Sequence, residues 1–137
     1  MISVCMASYN GAKYIKSQLE SILTQLGAED EVVISDDGST DGTLDIVESM
    51  NDHRIRLIRH TPPQSLKHYD VLNKVSRNFE HALSNCRGDV IFLSDQDDIW
   101  LPNKVERCVK ALQKKDFVIS SYKKLIQKVS SLEFLLL

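Results

Sequence analysis

Cysteine is scarce in this sequence, and its residues are far apart. Cys5, Cys86 and Cys108 are odd in number and form no C-x-x-C pair. This spacing argues against a zinc site and against a disulfide framework. We therefore expect buried free thiols in a reducing compartment.

Excess charge of one sign and long apolar runs are also missing. The chain has 17 basic and 19 acidic residues, so it gives no reason to expect a nucleic-acid partner. The longest apolar stretch, Phe134–Leu137, is far too short to cross a bilayer. Lys13 and Lys16 follow the first apolar run instead of preceding it, unlike a signal peptide. We expect a cytoplasmic protein, with peripheral contact at the inner face of the cytoplasmic membrane left open.

With only 5 Gly and 3 Pro, the 137-residue chain has the composition of one folded domain. Strand-like and helix-like segments alternate along it, which predicts an α/β fold with a mostly parallel sheet and helices on both faces. If the strand order is 3-2-1-4, the carboxyl ends of strands one, two and four meet at one crevice, where such sheets bind ligands. The predicted strands are Ile2–Ala7, Val32–Ile34, Arg54–Arg59, Asp89–Leu93 and Phe117–Ser120.

Turn residues predict the helix ends. Asn10 is a candidate N-cap of the first helix, and Gly27 is a candidate stop for it. Pro102 is expected in the first turn of the last helix. Residues 60–68, which contain two prolines, are expected to form a loop.

Clustered carboxylates directly after the fourth strand are the sharpest chemical feature. Asp95 and Asp97 lie two residues apart, so in an extended turn they face one ligand together. Mg²⁺ and Mn²⁺ prefer such oxygen ligands and often bridge them to substrate phosphates. The alternative is an acidic turn that caps the next helix. From the residues alone, the two interpretations stand about even.

A second polar group follows the second strand. Asp36 and Asp37 can accept hydrogen bonds from a base or ribose, and Gly38 allows close backbone approach. After the first strand, Tyr9 offers a ring to a nucleobase and Asn10 offers polar contacts. Simple turn and packing roles remain the alternatives.

For the other candidate site residues, the sequence favours structural roles. Trp100 and Leu101 are expected to anchor their loop in the core. The charges on the third strand are expected to be solvated, although they could reach a diphosphate; they are Arg54, Arg56 and Arg59. The four histidines have no metal-ligand spacing and are expected at the surface or in loops; they are His53, His60, His68 and His81.

Taken together, three segments resemble family 2 glycosyltransferases in order and spacing. They are Met6–Gly11 (MASYNG), Val32–Thr43 (VVISDDGSTDGT) and Gly88–Trp100 (GDVIFLSDQDDIW). The resemblance runs from residue 2 to about residue 120. The third segment is the most specific, and it is most similar to bacterial enzymes that build cell-surface polysaccharide, including rhamnosyltransferase-like members.

The resemblance implies a Rossmann-like GT-A fold and inverting transfer from a UDP- or dTDP-linked sugar to a saccharide or lipid-linked acceptor. It also implies manganese or magnesium as cofactor, held by Asp97 and Asp95. The donor nucleotide would contact residues at all three strand ends, namely Ala7, Ser8, Tyr9, Asn10, Asp36, Asp37, Gly38 and Asp95. The resemblance does not distinguish Asp36 from Asp37: either of them would hold the base or ribose.

After residues 117–122 the chain departs from the family. We expect a nucleotide-sugar-binding domain over residues 1–122 and an atypical tail over residues 123–137, without the acceptor half. The tail, read as a truncation or a shifted frame, has one acidic residue, Glu133, and we identify no general base. The alternative function is a catalytically incomplete nucleotide-sugar-binding module. A phosphoacceptor signalling domain fits poorly, because its acidic pair should follow the first strand.

Overall fold

The structure, a computed structural model, describes residues 1–61, 71–121, 123–128 and 131–136. The chain divides into two compact units, Met1–Lys104 and Val105–Leu137. Within the described residues, no helix has the length and apolar character needed to cross a membrane. The predicted loop at residues 60–68 lies largely outside the described residues.

The first unit contains a four-stranded parallel sheet in the order β3-β2-β1-β4, the order for which we expect three strand ends to meet at one crevice. Its strands are β1 (Ile2–Ser8), β2 (Glu31–Asp36), β3 (Ile55–Arg59) and β4 (Val90–Asp95). Its helices are α1 (Ile15–Leu23), α2 (Thr43–Ser49) and α3 (Val71–Ser84). The predicted α/β class with a mostly parallel sheet is confirmed.

Helices cover both faces of this sheet, which explains why all six residues of β2 are buried. In α1, Gln18 donates from Nε2 to Ser94 Oγ at 2.7 Å, and Ser94 lies beside Met6 of β1. On β1 the next side chain back, Cys5, contacts the Phe79 carbonyl of α3 at 3.6 Å. Because neighbouring residues of a strand point to opposite faces, α1 and α3 lie on opposite sides.

The second unit contains nearly all of α4 (Lys104–Leu112) and a hairpin of β5 (Lys123–Lys128) with β6 (Ser131–Leu136). The two strands pair antiparallel, with Lys123 opposite Leu136. The prediction of a strand at Phe117–Ser120 is wrong, since this segment has no regular structure. Phe117 and Ile119 are strongly exposed, so an apolar pattern alone, without a neighbouring strand, did not produce a strand here.

The predicted N-cap role of Asn10 is also wrong. Helix α1 begins at Ile15 after Tyr14, and no side chain caps it. Asn10 instead adopts a left-handed backbone with φ 48°, which Asn tolerates better than most residues. The helix also ends earlier than predicted, at Leu23, so Gly27 lies beyond its C-cap residue Thr24.

An arginine from the loop before β3 binds backbone carbonyl groups at the C-terminal end of α1. Arg54 Nη1 donates to the carbonyls of Leu23 at 3.0 Å and Leu26 at 2.9 Å. Its other nitrogens bind both carboxylate oxygens of Asp52, at 3.0 and 2.7 Å. These hydrogen bonds from Arg54 lower the pKa of Asp52 to about 2.

The Asp52–Arg54 pair should make stability depend on acid pH. A carboxyl with a lowered pKa stabilises the fold above its unfolded pKa, and this contribution is lost as pH falls from about 4 to about 2. Asp52→Asn should therefore cost about 1 kcal/mol at pH 7 and almost nothing at pH 2. Urea denaturation at both pH values measures this, with the exposed Glu29→Gln as control. An equal loss at both pH values would contradict it.

Candidate functional site

Three strands end side by side at the carboxyl edge of the sheet. Ser8, near the end of β1, lies opposite Asp36 at the end of β2. On the other side of β1, Ala7 lies opposite Asp95 at the end of β4. The polar residues that follow these strands in sequence are therefore neighbours in space.

Asp36 is a buried hub that joins the first two loops. It is 1% exposed, and its Oδ1 accepts from the backbone nitrogens of Gly38 at 3.0 Å and Ser39 at 2.8 Å. Its Oδ2 accepts from Ser8 Oγ at 2.8 Å and Ser39 Oγ at 2.5 Å. Four donors occupy this carboxylate, so Asp36 and Ser8 use their side chains to build the site.

Asp37, the next residue, has a different environment. Its backbone nitrogen donates to the Ser8 carbonyl at 3.0 Å. Its Oδ1 lies 3.1 Å from His60 Nδ1, and both side chains are 13% exposed. Its Oδ2 has no hydrogen-bond partner among the described residues. Of the two adjacent carboxylates, Asp37 is the one with an oxygen left for a ligand.

The turn that follows depends on glycine for its backbone. Gly38 has φ 83°, a left-handed conformation that side chains with a Cβ rarely adopt. No atom lies within 4 Å of where its Cβ would stand. Its backbone therefore requires glycine, while the space beside it is open.

The β1–α1 loop is fastened to the β2–α2 loop by reciprocal hydrogen bonds. Asn10 donates from its backbone to Ser39 Oγ at 2.8 Å and accepts at Oδ1 from the Thr40 nitrogen at 2.9 Å. Ala12 donates to Asp41 Oδ2 at 3.0 Å. These bonds hold the two loops as one framework.

Gln96 fastens the third loop to the first. Its Oε1 accepts from the Tyr9 nitrogen and its Nε2 donates to the Tyr9 carbonyl, both at 3.0 Å. A Cβ on Gly11 would stand 2.2 Å from Gln96 Oε1, so Gly11 leaves room for this contact. The Tyr9 side chain remains 57% exposed. Gln96 is not among the site residues predicted from the sequence, although its place between Asp95 and Asp97 was a usable signal.

The acidic loop carries unneutralised charge. Asp95, Asp97 and Asp98 are exposed and form no ion pair within the described part of the chain. Partial burial, followed by the charges of Asp98 and Asp97, raises the pKa of Asp95. A bound cation would relieve this repulsion.

This set of oxygen ligands suits a hard divalent metal that also binds a substrate. Magnesium commonly takes one or two carboxylates together with substrate phosphates. Across the described residues no three His, Cys, Asp or Glu side chains form a metal-binding group. Asp95 and Asp97 alone would hold such a metal only if its remaining ligands came from a phosphate compound and water.

Several neighbouring side chains differ from expectation. His60 lies in the loop after β3, as expected, but its Nδ1 lies 3.1 Å from Asp37 Oδ1. His81 lies in α3 and not in a loop, and its Nδ1 lies 2.8 Å from Ser35 Oγ. Trp100 is 4% exposed, as expected, whereas Leu101 is 49% exposed.

The arginines of the third strand region also serve the fold. Arg54 binds Asp52, and Arg56 binds Glu31 at 2.6 Å, so neither guanidinium is directed at the site. Arg59, the last residue of β3, is exposed.

The profile of the family described as "Glycosyl transferase family 2" matches residues 3–131. This chain belongs to that family. Among curated relatives, it is 34% identical to the putative glycosyltransferase EpsE of Bacillus subtilis, over 82% of this chain and 38% of EpsE. It is also 34% identical to the dTDP-rhamnosyl transferase RfbG of Shigella flexneri, over 78% of this chain and 36% of RfbG.

Solved glycosyltransferase structures share the fold of this family 2 chain. Staphylococcus aureus TarS 1–349 in complex with UDP gives a TM-score of 0.67 at 25% identity, covering 84% of this chain and 32% of TarS. A Pyrobaculum calidifontis mannosyltransferase in complex with GDP-Man and Mn²⁺ gives the same TM-score and identity. It covers 83% of this chain and 32% of the neighbour. The likeness to these proteins confirms the GT-A-type fold.

The family 2 chain spans less than half of the length of these relatives, down to 16% of an Escherichia coli chondroitin synthase. The matched share is 34% of a Nostoc glycosyltransferase and 46% of the Escherichia coli glucosyltransferase WfgD. The family assignment therefore applies to the region that carries the three strand-end loops.

The contact between Gln96 and Tyr9 should be detectable by a double-mutant cycle. Gln96→Ala removes both hydrogen bonds, and Gly11→Ala displaces the same amide by its Cβ, so each should cost about 1–2 kcal/mol of unfolding free energy. The double variant should cost little more than either single variant. Gly27→Ala, whose Cβ would lie 3.4 Å from its nearest neighbour, is the control. Additive losses in urea denaturation would contradict a shared contact.

Proposed function

We propose that this chain forms the donor site of a glycosyltransferase. The enzyme would move a sugar from a nucleotide-diphospho-sugar to a saccharide or lipid-linked acceptor, with inversion at the anomeric carbon. One observation carries the proposal: Asp37, with one oxygen that has no partner among the described residues, and the acidic pair Asp95 and Asp97 lie at the same edge of the sheet, at the ends of the two strands that flank β1.

The nucleoside would bind between the first two loops. Asp37 would accept a base N–H through Oδ2, whereas Asp36 has four internal donors and would only hold the loop. The exposed ring of Tyr9 would pack against the base, beside Ala7. In this proposal Asp36 and Asp37 have separate roles, a distinction that the sequence does not make.

The diphosphate would bind at the third loop. Asp95 would contact the ribose and share a manganese or magnesium ion with Asp97. That ion would act as a Lewis acid toward the charge that gathers on the departing diphosphate. Gln96 would keep this loop in register with Tyr9, so both ends of the donor would meet one rigid surface.

The relatives support the substrate classes. RfbG is named for a dTDP-rhamnosyl donor. WfgD, 32% identical over 89% of this chain, is named for UDP-Glc and a GlcNAc-diphosphoundecaprenol acceptor. We therefore favour a UDP- or dTDP-linked donor and a role in bacterial cell-surface polysaccharide synthesis. A lipid-linked acceptor would place the reaction at the inner face of the cytoplasmic membrane.

A general base must activate the acceptor hydroxyl during such a transfer. We assign no residue of this chain to that role. The second candidate function is therefore a nucleotide-sugar-binding module that does not transfer sugar by itself.

Donor binding should show a distinct signature for each carboxylate. In isothermal titration, UDP or dTDP should bind more tightly with Mn²⁺ than without it. Asp97→Asn should remove about a tenfold gain due to the metal, while the neighbouring Asp98→Asn, with the same charge change, should retain most of it. Asp37→Asn should weaken binding with and without metal. Failure of the unaltered chain to bind any nucleoside diphosphate with Mn²⁺ would refute the donor site.

Catalysis and binding alone are separable by product release. The transferase hypothesis expects UDP or dTDP to be released from the donor sugar faster when a saccharide or lipid-diphosphate acceptor is added. The binding-module hypothesis expects release at the background hydrolysis rate under both conditions. A coupled nucleoside-diphosphate assay with purified chain measures both rates.

A further inference from the structure

We propose that His60 is a positioning residue that orients the Asp37 carboxylate and thereby selects uracil or thymine over guanine. The inference rests on the proposed donor site and adds a determinant of base specificity to it. Its starting point is the difference between the two oxygens of Asp37. Oδ1 is held by His60, and Oδ2 has no partner among the described residues.

The backbone places His60 beside Asp37. His60 follows the last residue of β3, and its nitrogen donates to the Asp36 carbonyl at 2.8 Å. This bond continues the pairing of β3 with β2, so the backbone of His60 is held beside the end of β2. Its Nδ1 then reaches Asp37 Oδ1 at 3.1 Å.

The chemistry of the pair defines the direction of this hydrogen bond. An ionised carboxylate only accepts, so Nδ1 of His60 carries the hydrogen and donates it. Both side chains are 13% exposed, which strengthens a charge-assisted bond compared with one in water. The bond therefore limits rotation of the Asp37 carboxylate.

A second histidine supports the ring of the first. The rings of His60 and His81 lie 5.1 Å apart with an interplanar angle of 39°. His81 is held in turn by a 2.8 Å contact between its Nδ1 and Ser35 Oγ on β2. Packing on one side and the carboxylate on the other restrict the His60 ring to a narrow range of orientations.

One open oxygen favours one kind of base. Uracil and thymine present a single ring N–H between two carbonyls, which matches one acceptor. Guanine presents a ring N–H and an adjacent amino group, and this pair is best met by both oxygens of a carboxylate, as in bidentate binding. The hydrogen bond from His60 uses one of the two acceptor positions of Oδ1 and restricts the plane of the carboxylate, so guanine would have to share Oδ1 with His60, whereas uracil or thymine needs only Oδ2.

Two substitutions at one position test the role of the Nδ1 donor. The amide nitrogen of Asn lies close to the position of Nδ1, whereas that of Gln extends past it. Isothermal titration of the full chain with UDP and GDP, each with Mn²⁺, provides the readout. We expect the unaltered chain to bind UDP at least about tenfold more tightly than GDP, a difference of one well-placed hydrogen bond.

His60→Gln should weaken UDP binding about tenfold and bring the UDP-to-GDP ratio near one, while His60→Asn should stay within about threefold of the unaltered chain. His53→Gln, at a histidine whose side chain is 78% exposed, is the control and should change neither affinity.

Each outcome has a separate meaning. Tighter or equal binding of GDP by the unaltered chain overturns the inference, even if His60→Gln fails to fold. Unchanged affinities in a folded His60→Gln variant also overturn it. If no nucleotide binds to the unaltered chain, the proposed donor site itself fails. That result is distinguishable from a chain that binds UDP and GDP equally.

Discussion

The arrangement of the first two loops depends on one buried carboxylate. Asp36 ends β2 and accepts hydrogen bonds from Ser8 of β1 and from the turn at Gly38 and Ser39. A buried charge is costly unless it is fully hydrogen-bonded, and four donors meet that requirement here. The same bonds define where the Asp37 backbone lies. The buried Asp36 therefore helps to position the carboxylate of Asp37.

Two carboxylates at opposite ends of the sheet have pKa shifts in opposite directions. At the amino end, burial opposes the charge of Glu31, but hydrogen bonds from Arg56, Ser3 and Arg87 outweigh it and lower its pKa. At the carboxyl end, burial and neighbouring charges raise the pKa of Asp95. Glu31 forms an ion pair with Arg56, whereas the acidic loop has no cationic partner among the described residues.

The sequence predicted the sheet well because alternating apolar segments and turn residues carry local information. The strand order was a condition of the prediction that three loops converge, and the structure has that order. The roles of Asp36 and Asp37 did not follow, because adjacent identical residues differ only in which side of the strand end they face. His60 was missed for a related reason: its partner is 23 residues away, and only the pairing of β3 with β2 brings them together. The prediction of a strand at Phe117–Ser120 was wrong because an apolar pattern alone does not produce a strand.

Rigidity of the three loops together has a consequence for donor recognition. Asn10 joins the first loop to the second, and Gln96 joins it to the third, through hydrogen bonds to backbone atoms or short side chains. A nucleoside held at Asp37 and a diphosphate held at Asp97 would therefore act on the same framework. Ordering one loop reduces the entropy that the other binding event must overcome, so base and metal binding should reinforce each other. Such coupling lets contacts far from the sugar contribute to holding the reacting bond in place.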